Sequence, residues 1–356
     1  MDHLPFHDTL PHASTVVLIV EPIPAEVQQW LASRHPVRVA PELASDPAAA
    51  RLALSTARAA ILPPSVTLDA SVLWHAPHLR VVGRLSVGAE NIDLQACARA
   101  GVEVARAASA SAAAEAEFVV GALLAMLRRV PVLGEGGLLV GRELGACTVG
   151  IVGVTPNLVQ LARLLRVFGS RVLGYDPAVH AGDPAWLRAG VRPVPLLDLM
   201  RDCDAVCVLL HAHSRFDGLF GDRLLGAAKQ HQVIVSLAHS TLFDDQALAR
   251  ALRDGPLAAA WLDSLEPGAQ DPGRALRNLD TLQVTPRVAG TTRESRLRGA
   301  WRVAQRIDDV LNADRPQRPA DPPKPPKPPK PLEPLEPLEP LSPAENAGPA
   351  SYPRPA

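Results

Sequence analysis

The residues whose types and spacing best suit a chemical role lie in residues 148–177. An apolar strand is followed by a turn, an amphipathic helix, a second strand and an acid, Asp176, which lies 23 residues after Gly153. In a turn of the G-x-G-x-x-G type, the first glycine allows a tight bend, the second lets the backbone approach a pyrophosphate, and the third permits close packing of the helix. Those places hold Gly153, Thr155 and Leu158 here. The layout predicts a dinucleotide-binding unit with an altered phosphate turn.

Two interpretations of the turn residues Thr155, Pro156 and Asn157 stay open. Threonine caps free amides and proline tolerates the first helical position, so the stretch makes a good structural helix start. As a cofactor site with Gly153, the turn would face a pyrophosphate, and the Thr155 hydroxyl would compete with phosphate for the same amides. Asp176 likewise fits a ribose ligand, which favours NAD over NADP, or a simple Asp-Pro turn.

The composition excludes several classes of partner. The chain has 356 residues, 47% of them hydrophobic, and a formal net charge of −1, so no basic surface for nucleic acid or membrane binding is expected. Four scattered cysteines favour a reducing compartment over a disulfide framework, and no metal site is implied. The longest apolar run, residues 118–127, is shorter than the ~18 residues that span a bilayer. With no basic-then-apolar leader at the N-terminus, we predict a cytoplasmic protein.

Two series of alternating strand and helix patterns organise the chain. Short β-branched runs alternate with helical patterns over residues 15–105, and again over residues 148–284. Such alternation predicts βαβ units and parallel sheets. Between the series, residues 115–130 are apolar nearly all round, which indicates a helix buried between domains or subunits. An amphipathic helix is predicted over residues 294–312.

The composition changes abruptly after this last helix. Residues 322–343 read PPKPPKPPKPLEPLEPLEPLSP, a three-residue repeat in which proline removes backbone donors and favours extended polyproline II. No core can form from this composition, so a disordered tail is predicted. Its role is open between a solubilising extension and a ligand for a proline-reading module.

Six segments, in order, resemble the NAD-dependent D-isomer-specific 2-hydroxyacid dehydrogenases, whose branches include phosphoglycerate dehydrogenases. The similarity covers residues 79–312. It rests on LRVVGRLSVGAENIDLQACARAGVEV, AEAEFVVGALLAMLRR, GRELGACTVGIVG, VLGYDP, STLFDDQALARALRDGPLAAAWLD and LQVTPRVAGTTRES.

The resemblance implies an α/β fold with two doubly wound parallel-sheet domains and a discontinuous first domain. A flavodoxin-like substrate domain is expected over residues 1–108 and 288–315, a Rossmann NAD-binding domain over residues 109–287, and the proline-rich tail over residues 316–356. It also implies NAD as cofactor, a small 2-hydroxy or 2-oxo acid as substrate, and a homodimer formed through the helix at residues 115–130.

The same resemblance implies two further groups of site residues. A loop whose backbone amides hold the substrate carboxylate is expected at Ser86, Val87 and Gly88, although a tight glycine turn explains this loop equally well. Asp263, which closes the segment AAAWLD, matches a family aspartate near the nicotinamide.

Hydride transfer to a 2-oxo acid needs a cation, an acid/base and a carboxylate that tunes the base. The family supplies arginine, histidine and glutamate in these roles. In this chain the arginine place holds His239 and the histidine place holds Arg287, so the two residue types are exchanged. The glutamate place holds Gly268, and nearby Glu266 would serve if the loop is shortened.

Two hypotheses follow from the exchanged pair. In the first, the site works in mirrored form, with Arg287 binding the carboxylate and His239 exchanging the proton, as imidazole does near neutral pH. In the second, the exchange is drift in a chain that has also lost glycines, and the protein is a non-catalytic ligand-binding or scaffolding protein on the same fold. The losses at the cofactor turn and at the catalytic places favour the second.

Overall fold

The computed structural model describes residues 17–85, 91–107, 109–129, 132–133, 137, 139–210 and 214–313. The predicted carboxylate-binding loop at Ser86, Val87 and Gly88 lies outside the described residues, as does the tail at residues 316–356. Within the described part, the fold has two parallel-sheet α/β domains, which confirms the predicted fold class.

The first sheet is parallel and has the strand order β2-β1-β3-β4-β5, the flavodoxin-like order. Its strands are β1 (Val17–Ile19), β2 (Val37–Val39), β3 (Ala59–Ile61), β4 (Val81–Arg84) and β5 (Glu103–Arg106). The helices between these strands are α1 (Ala25–Ala32), α2 (Pro47–Leu54), α3 (Ala70–Trp74) and α4 (Leu94–Arg99). Strands β1 and β3 are buried along their whole length, as expected for a sheet covered on both faces.

The second sheet has the Rossmann order, extended by one strand at its edge. The order is β10-β9-β8-β11-β12-β13-β14, and all pairs are parallel. Its strands are β8 (Thr148–Val152), β9 (Arg171–Tyr175), β10 (Arg192–Pro193), β11 (Ala205–Val208), β12 (Gln232–Ser236), β13 (Leu257–Leu262) and β14 (Leu282–Val284). Its helices are α6 (Leu158–Val167), α7 (Pro184–Ala189), α8 (Leu196–Asp202), α9 (Asp222–Leu225) and α10 (Asp245–Arg253). A short antiparallel hairpin, β6 (Val132–Leu133) and β7 (Leu139–Val140), precedes β8.

Two long helices connect the domains. Helix α5 (Ala112–Arg129) packs on α6 and β12 of the second domain, and helix α11 (Arg293–Ala313) packs on β4, β5 and α1 of the first. The close approach of α11 depends on Gly83 in β4, because a Cβ at this position would collide with the Val303 side chain. Helix α11 therefore completes the helix layer on one face of the first sheet.

Aspartate side chains set many of the helix starts. The carboxylate of Asp244, for example, accepts a hydrogen bond from the Ala247 amide at 2.7 Å and begins α10. The same cap is made at α2, α3, α4 and α7 by Asp46, Asp69, Asp93 and Asp183. These local signals fix where the helices begin and, with them, where the preceding loops meet the sheet edges.

The described residues hold no helix of sufficient length and apolarity to span a bilayer, and no group of histidine, cysteine or acidic side chains suited to a metal ion. The four cysteines are free and buried. Burial also raises the pKa of the Cys203 thiol to about 12, which keeps this side chain protonated and unreactive at neutral pH.

Candidate active site

The carboxyl ends of strands from both sheets face one cavity of about 800 Å³. Ligands of open α/β sheets bind at this end of the strands. The first sheet contributes Glu21, Arg84 and Arg106, and the second contributes Thr155, Leu210, His239, Ser264 and Arg287. The cavity therefore brings together the predicted cofactor turn and both members of the exchanged pair.

Gly153 makes the bend that follows β8. Its φ is +118°, and a Cβ at this position would lie 2.9 Å from the Leu210 nitrogen, so the backbone has no room for a side chain. The bend brings the Val154 amide to Asp176, which accepts its hydrogen bond at 2.7 Å. The other Asp176 oxygen accepts a bond from the Ala178 amide, also at 2.7 Å. Backbone amides thus orient the carboxylate at the end of β9.

Thr155 does not cap helix α6, contrary to one of the two interpretations of the turn, the capped helix start. Its hydroxyl donates instead to Asn157 Oδ1, and the buried Asn157 amide donates to Glu115 Oε2 at 2.6 Å. The second oxygen of Glu115 accepts a bond from the Ser111 hydroxyl at 2.7 Å. This chain of polar contacts ties the turn to helix α5, and it explains why the hydroxyl is drawn away from the free amides.

The residues in and after the turn suit two parts of a dinucleotide, the phosphates and the ribose. The Leu158 amide donates to the Thr155 carbonyl at 3.0 Å, but no side chain of the described residues caps α6, so the next amides of its first turn and its positive dipole end are available to a phosphate. Asp176 directly follows β9, the position that holds the ribose-binding acid in dinucleotide-binding folds. Leu158 is buried in the core, so it does not enter the phosphate space, and the Thr155 side chain is the departure from the glycine pattern that borders the cavity.

His239 follows β12 and contacts Glu266. Its Nε2 lies 3.0 Å from Glu266 Oε1, and its Nδ1 lies 3.2 Å from the Thr241 hydroxyl. The loop after β13 is therefore short enough to bring Glu266 to the imidazole, which was the condition stated from the sequence. Gly268 lies further along the same loop, with a φ of +79°. The carboxylate fixes the orientation of the ring.

Arg287 follows β14 in a left-handed backbone conformation, with a φ of +56°. Its Nε donates to the Ser264 hydroxyl at 3.3 Å. Asp263 supports this loop, because the loop backbone and Thr285 bond to its buried carboxylate. Sequence reasoning missed Ser264 and Thr285, since neither residue type stands out without its neighbours in space.

Arginine side chains from the first sheet and α11 form a second polar group in the cavity, which the sequence reasoning also missed. Arg84 is buried and donates to the Leu62 carbonyl at 2.9 Å, while its Nη1 lies 3.9 Å from Glu21 Oε2. Burial raises the pKa of the Glu21 carboxyl, and the positive charges of Arg84 and Arg296 oppose part of this shift. An arginine at the end of the apolar run VVGR was the available signal.

The comparisons with known proteins agree with this architecture. Residues 132–289 match the family model "D-isomer specific 2-hydroxyacid dehydrogenase, NAD binding domain". The chain is 33% identical to an (S)-sulfolactate dehydrogenase of Chromohalobacter salexigens over 253 residues, which cover 68% of this chain and 81% of that protein. It is 32% identical to a D-3-phosphoglycerate dehydrogenase of Mycobacterium tuberculosis over 265 residues, or 72% of this chain. The match covers 49% of that relative, so the chain spans about half its length.

The fold is also found among solved structures. A crystal structure of a Thermus thermophilus protein superposes with a TM-score of 0.70 at 25% sequence identity. The superposition covers 84% of this chain and 97% of the other. Both domains are therefore present in the solved structure.

Proposed function

This chain belongs to the D-isomer-specific 2-hydroxyacid dehydrogenase family and contains that family's NAD-binding domain, and on that premise we propose that it interconverts a small 2-oxo acid and the corresponding 2-hydroxy acid. The observation that carries the proposal is the 3.0 Å contact between Nε2 of His239, which lines the cavity, and Glu266 Oε1. It supplies an oriented acid/base although the family's histidine place holds arginine.

Arg287 binds the substrate carboxylate in this proposal. Its Nε is engaged by Ser264, and its two terminal nitrogens make no hydrogen bond to any residue that the structure describes. A guanidinium fork pairs with a carboxylate through two parallel bonds. The positive charge also draws electron density from the adjacent carbonyl, which favours hydride addition at C2.

His239 delivers the proton. Reduction of a ketone leaves a negative charge on its oxygen, and the imidazolium neutralises this charge by donating a proton. Because Nε2 is held by Glu266, Nδ1 is the nitrogen that faces the substrate, and the Thr241 hydroxyl gives up its 3.2 Å contact when substrate binds. In the direction of oxidation the same nitrogen accepts the proton of the hydroxyl group.

The cofactor supplies or accepts the hydride when it is bound. Gly153, Thr155, Pro156 and Asn157 would hold its phosphates at the start of α6, and Asp176 would bind ribose hydroxyls, which favours NAD over NADP. Asp263 acts on the nicotinamide side by fixing the loop that carries Arg287.

A ligand-binding protein without turnover is the second candidate function. Two observations favour it: Thr155 occupies the place of the glycine that approaches a pyrophosphate, and both ring nitrogens of His239 are engaged within the protein. Such a protein would bind a small acid in the same cavity and serve interaction rather than chemistry.

The test begins with NADH binding and continues with NADH oxidation in the presence of small 2-oxo acids. We expect NADH to bind more tightly than NADPH, His239→Asn to lower kcat by about 10²-fold, and Arg287→Gln chiefly to raise KM. His78→Asn, on the exposed surface, is the matched control.

The double exchange His239→Arg with Arg287→His separates the two candidate functions. It should lower turnover if the mirrored site works, because it disturbs the geometry of that site, whereas a protein without turnover has no such geometry to lose. If the unmodified protein binds NADH but shows no turnover, the ligand-binding function is supported. If it binds no NADH at millimolar concentration, the dehydrogenase function is excluded.

We also propose a homodimer formed through α5. Gly121 lies on an exposed part of this helix, and a Cβ built there meets no atom within 4 Å. Gly121→Arg should therefore leave the monomer folded and give a monomer in sedimentation velocity, whereas Ala48→Arg on α2 should leave the dimer intact. A Gly121→Arg protein that sediments like the unmodified chain would contradict this interface.

A further inference from the structure

The part of the cavity wall formed by the first sheet and α11 carries two arginines that the proposed reaction does not use. Arg106 ends β5, and Arg296 lies in the first turn of α11. Both line the same cavity as His239 and Arg287. Neither side chain makes a hydrogen bond or a close ion pair with any residue in the described part of the chain, and both are exposed to the solvent of the cavity.

The acidic side chains that line the cavity do not pair with these two guanidinium groups. Glu115 is bonded to Ser111 and Asn157. The carboxylate of Asp263 is committed to the loop after β14.

Glu21 lies beside Arg84 on the same wall as Arg106 and Arg296. Its Oε2 is buried without a hydrogen bond and lies 3.9 Å from Arg84 Nη1. Burial raises the pKa of the Glu21 carboxyl, and the charges of Arg84 and Arg296 oppose part of this shift. Arg106 and Arg296 therefore have no hydrogen-bonded or close ion-pair partner among the described acidic side chains of the cavity, and Glu21 is the acid whose charge interacts with Arg296.

We infer that the substrate carries a second acidic group, which Arg106 and Arg296 bind while Arg287 binds the carboxylate next to the reacting carbon. This inference rests on the proposed function. Guanidinium groups recognise carboxylate, sulfonate and phosphate groups through paired N–H donors, so these acids share the required chemistry. An uncharged substrate side chain would leave the two cations facing it without a counter-charge and is discriminated against.

The kinetic test compares two 2-oxo acids of nearly equal shape. The two acids differ only beyond the CH₂ group, where oxaloacetate carries a charged carboxylate and 4-methyl-2-oxopentanoate carries an isopropyl group of similar shape. We expect kcat/KM of the full-length protein to favour oxaloacetate by at least about tenfold, and Arg106→Gln and Arg296→Gln each to reduce this preference by roughly fivefold, the upper range for an exposed ion pair.

Arg99→Gln, an equal charge change on α4 away from the cavity, should leave the preference unchanged. The preference should also fall as salt is added, because exposed charges are screened. Parallel assays with 3-phosphooxy-2-oxopropanoate and 3-sulfo-2-oxopropanoate determine which acidic group is preferred.

A binding measurement keeps this inference separate from the proposed reaction. The thermal midpoint is recorded with equal concentrations of D-malate and of D-2-hydroxy-4-methylpentanoate, because a ligand that binds the folded state raises the midpoint, and the tighter ligand raises it more. A larger shift with malate that is lost in Arg106→Gln and Arg296→Gln supports the second acidic group even if no turnover is found. Equal shifts with the two acids, or a preference that survives both substitutions, overturn the inference whether or not the protein turns over.

Discussion

The carboxylate of Asp263 should determine both the stability and the placement of the loop that carries Arg287. Its Oδ1 accepts bonds from the Thr285 hydroxyl at 2.6 Å and from the Val288 amide at 2.9 Å. Its Oδ2 accepts the Ala289 amide at 2.8 Å. Asp263 and Ala289 are both buried, so water cannot replace a lost bond.

The cost of Asp263→Asn follows from these donors. An asparagine can keep the two bonds at Oδ1, but its NH₂ group then faces the Ala289 N–H, so one charge-assisted bond is lost and a buried donor is left unpaired. Each of these effects is worth ~1–3 kcal/mol, and we expect the free energy of unfolding to fall by about 2 kcal/mol. Asp263→Ala loses all three bonds and should lower the free energy of unfolding by about 4 kcal/mol. This is less than three times the cost of Asp263→Asn, because the contributions of bonds within one network are not additive.

Urea unfolding and hydrogen exchange test this prediction together. The Ala289 amide should lose protection in Asp263→Asn, and KM for the 2-oxo acid should rise because the loop that carries Arg287 is held by one bond fewer. Asp280→Asn, on the exposed surface, is the matched control. An Asp263→Asn protein that lies within about 0.5 kcal/mol of the unmodified chain and keeps Ala289 protected would refute the reasoning.

Three further perturbations have defined outcomes. Gly153→Ala should destabilise the protein by about 2 kcal/mol or more, measured by urea unfolding, since the new Cβ would lie 2.9 Å from the Leu210 nitrogen at a φ of +118°. The raised pKa of Glu21 means that its contribution to stability is fully present below its ordinary pKa of 4.5 and is lost as pH rises through its folded value. Glu21→Gln should therefore show a smaller loss of thermal midpoint between pH 4.5 and pH 7 than the unmodified protein, and an unchanged loss would contradict this assignment. Deletion after Arg318 should leave the thermal midpoint and the oligomeric state unchanged, because the proline repeat has no apolar periodicity with which to pack; a clear drop in the midpoint would show otherwise.

The fold could be predicted from the sequence because its signals are local. Strands β8, β9, β11, β12 and β13 are apolar runs bounded by turns, and alternation with helices then determines a parallel sheet. Strand β10 was not predicted, since two residues carry no periodicity. The long helices differ from their predicted spans by only a few residues at each end.

The polar contacts of the site could not be predicted in the same way. The Thr155 hydroxyl can bond either to a nearby helix amide or to Asn157, whose side chain bonds to Glu115. Which of the two bonds forms depends on where α5 places Glu115. The unpaired charges of Arg106 and Arg296 likewise exist only because two sheet edges face the same cavity. Sequence separation hides such contacts, because they form between elements and not along one element.

The sheet order explains how histidine and arginine can change places without the imidazole losing its carboxylate. Strand β13 lies between β12 and β14, so the loop after β13, which carries Glu266, borders both the loop of His239 and the loop of Arg287. A carboxylate on the middle loop is within reach of a ring on either side. The loop after β13 brings Glu266 to the β12 side, and Ser264 on the same loop bonds to Arg287 on the β14 side. One loop therefore supports both residues of the proposed mirrored site, and that proposal needs no strand of the family fold to move.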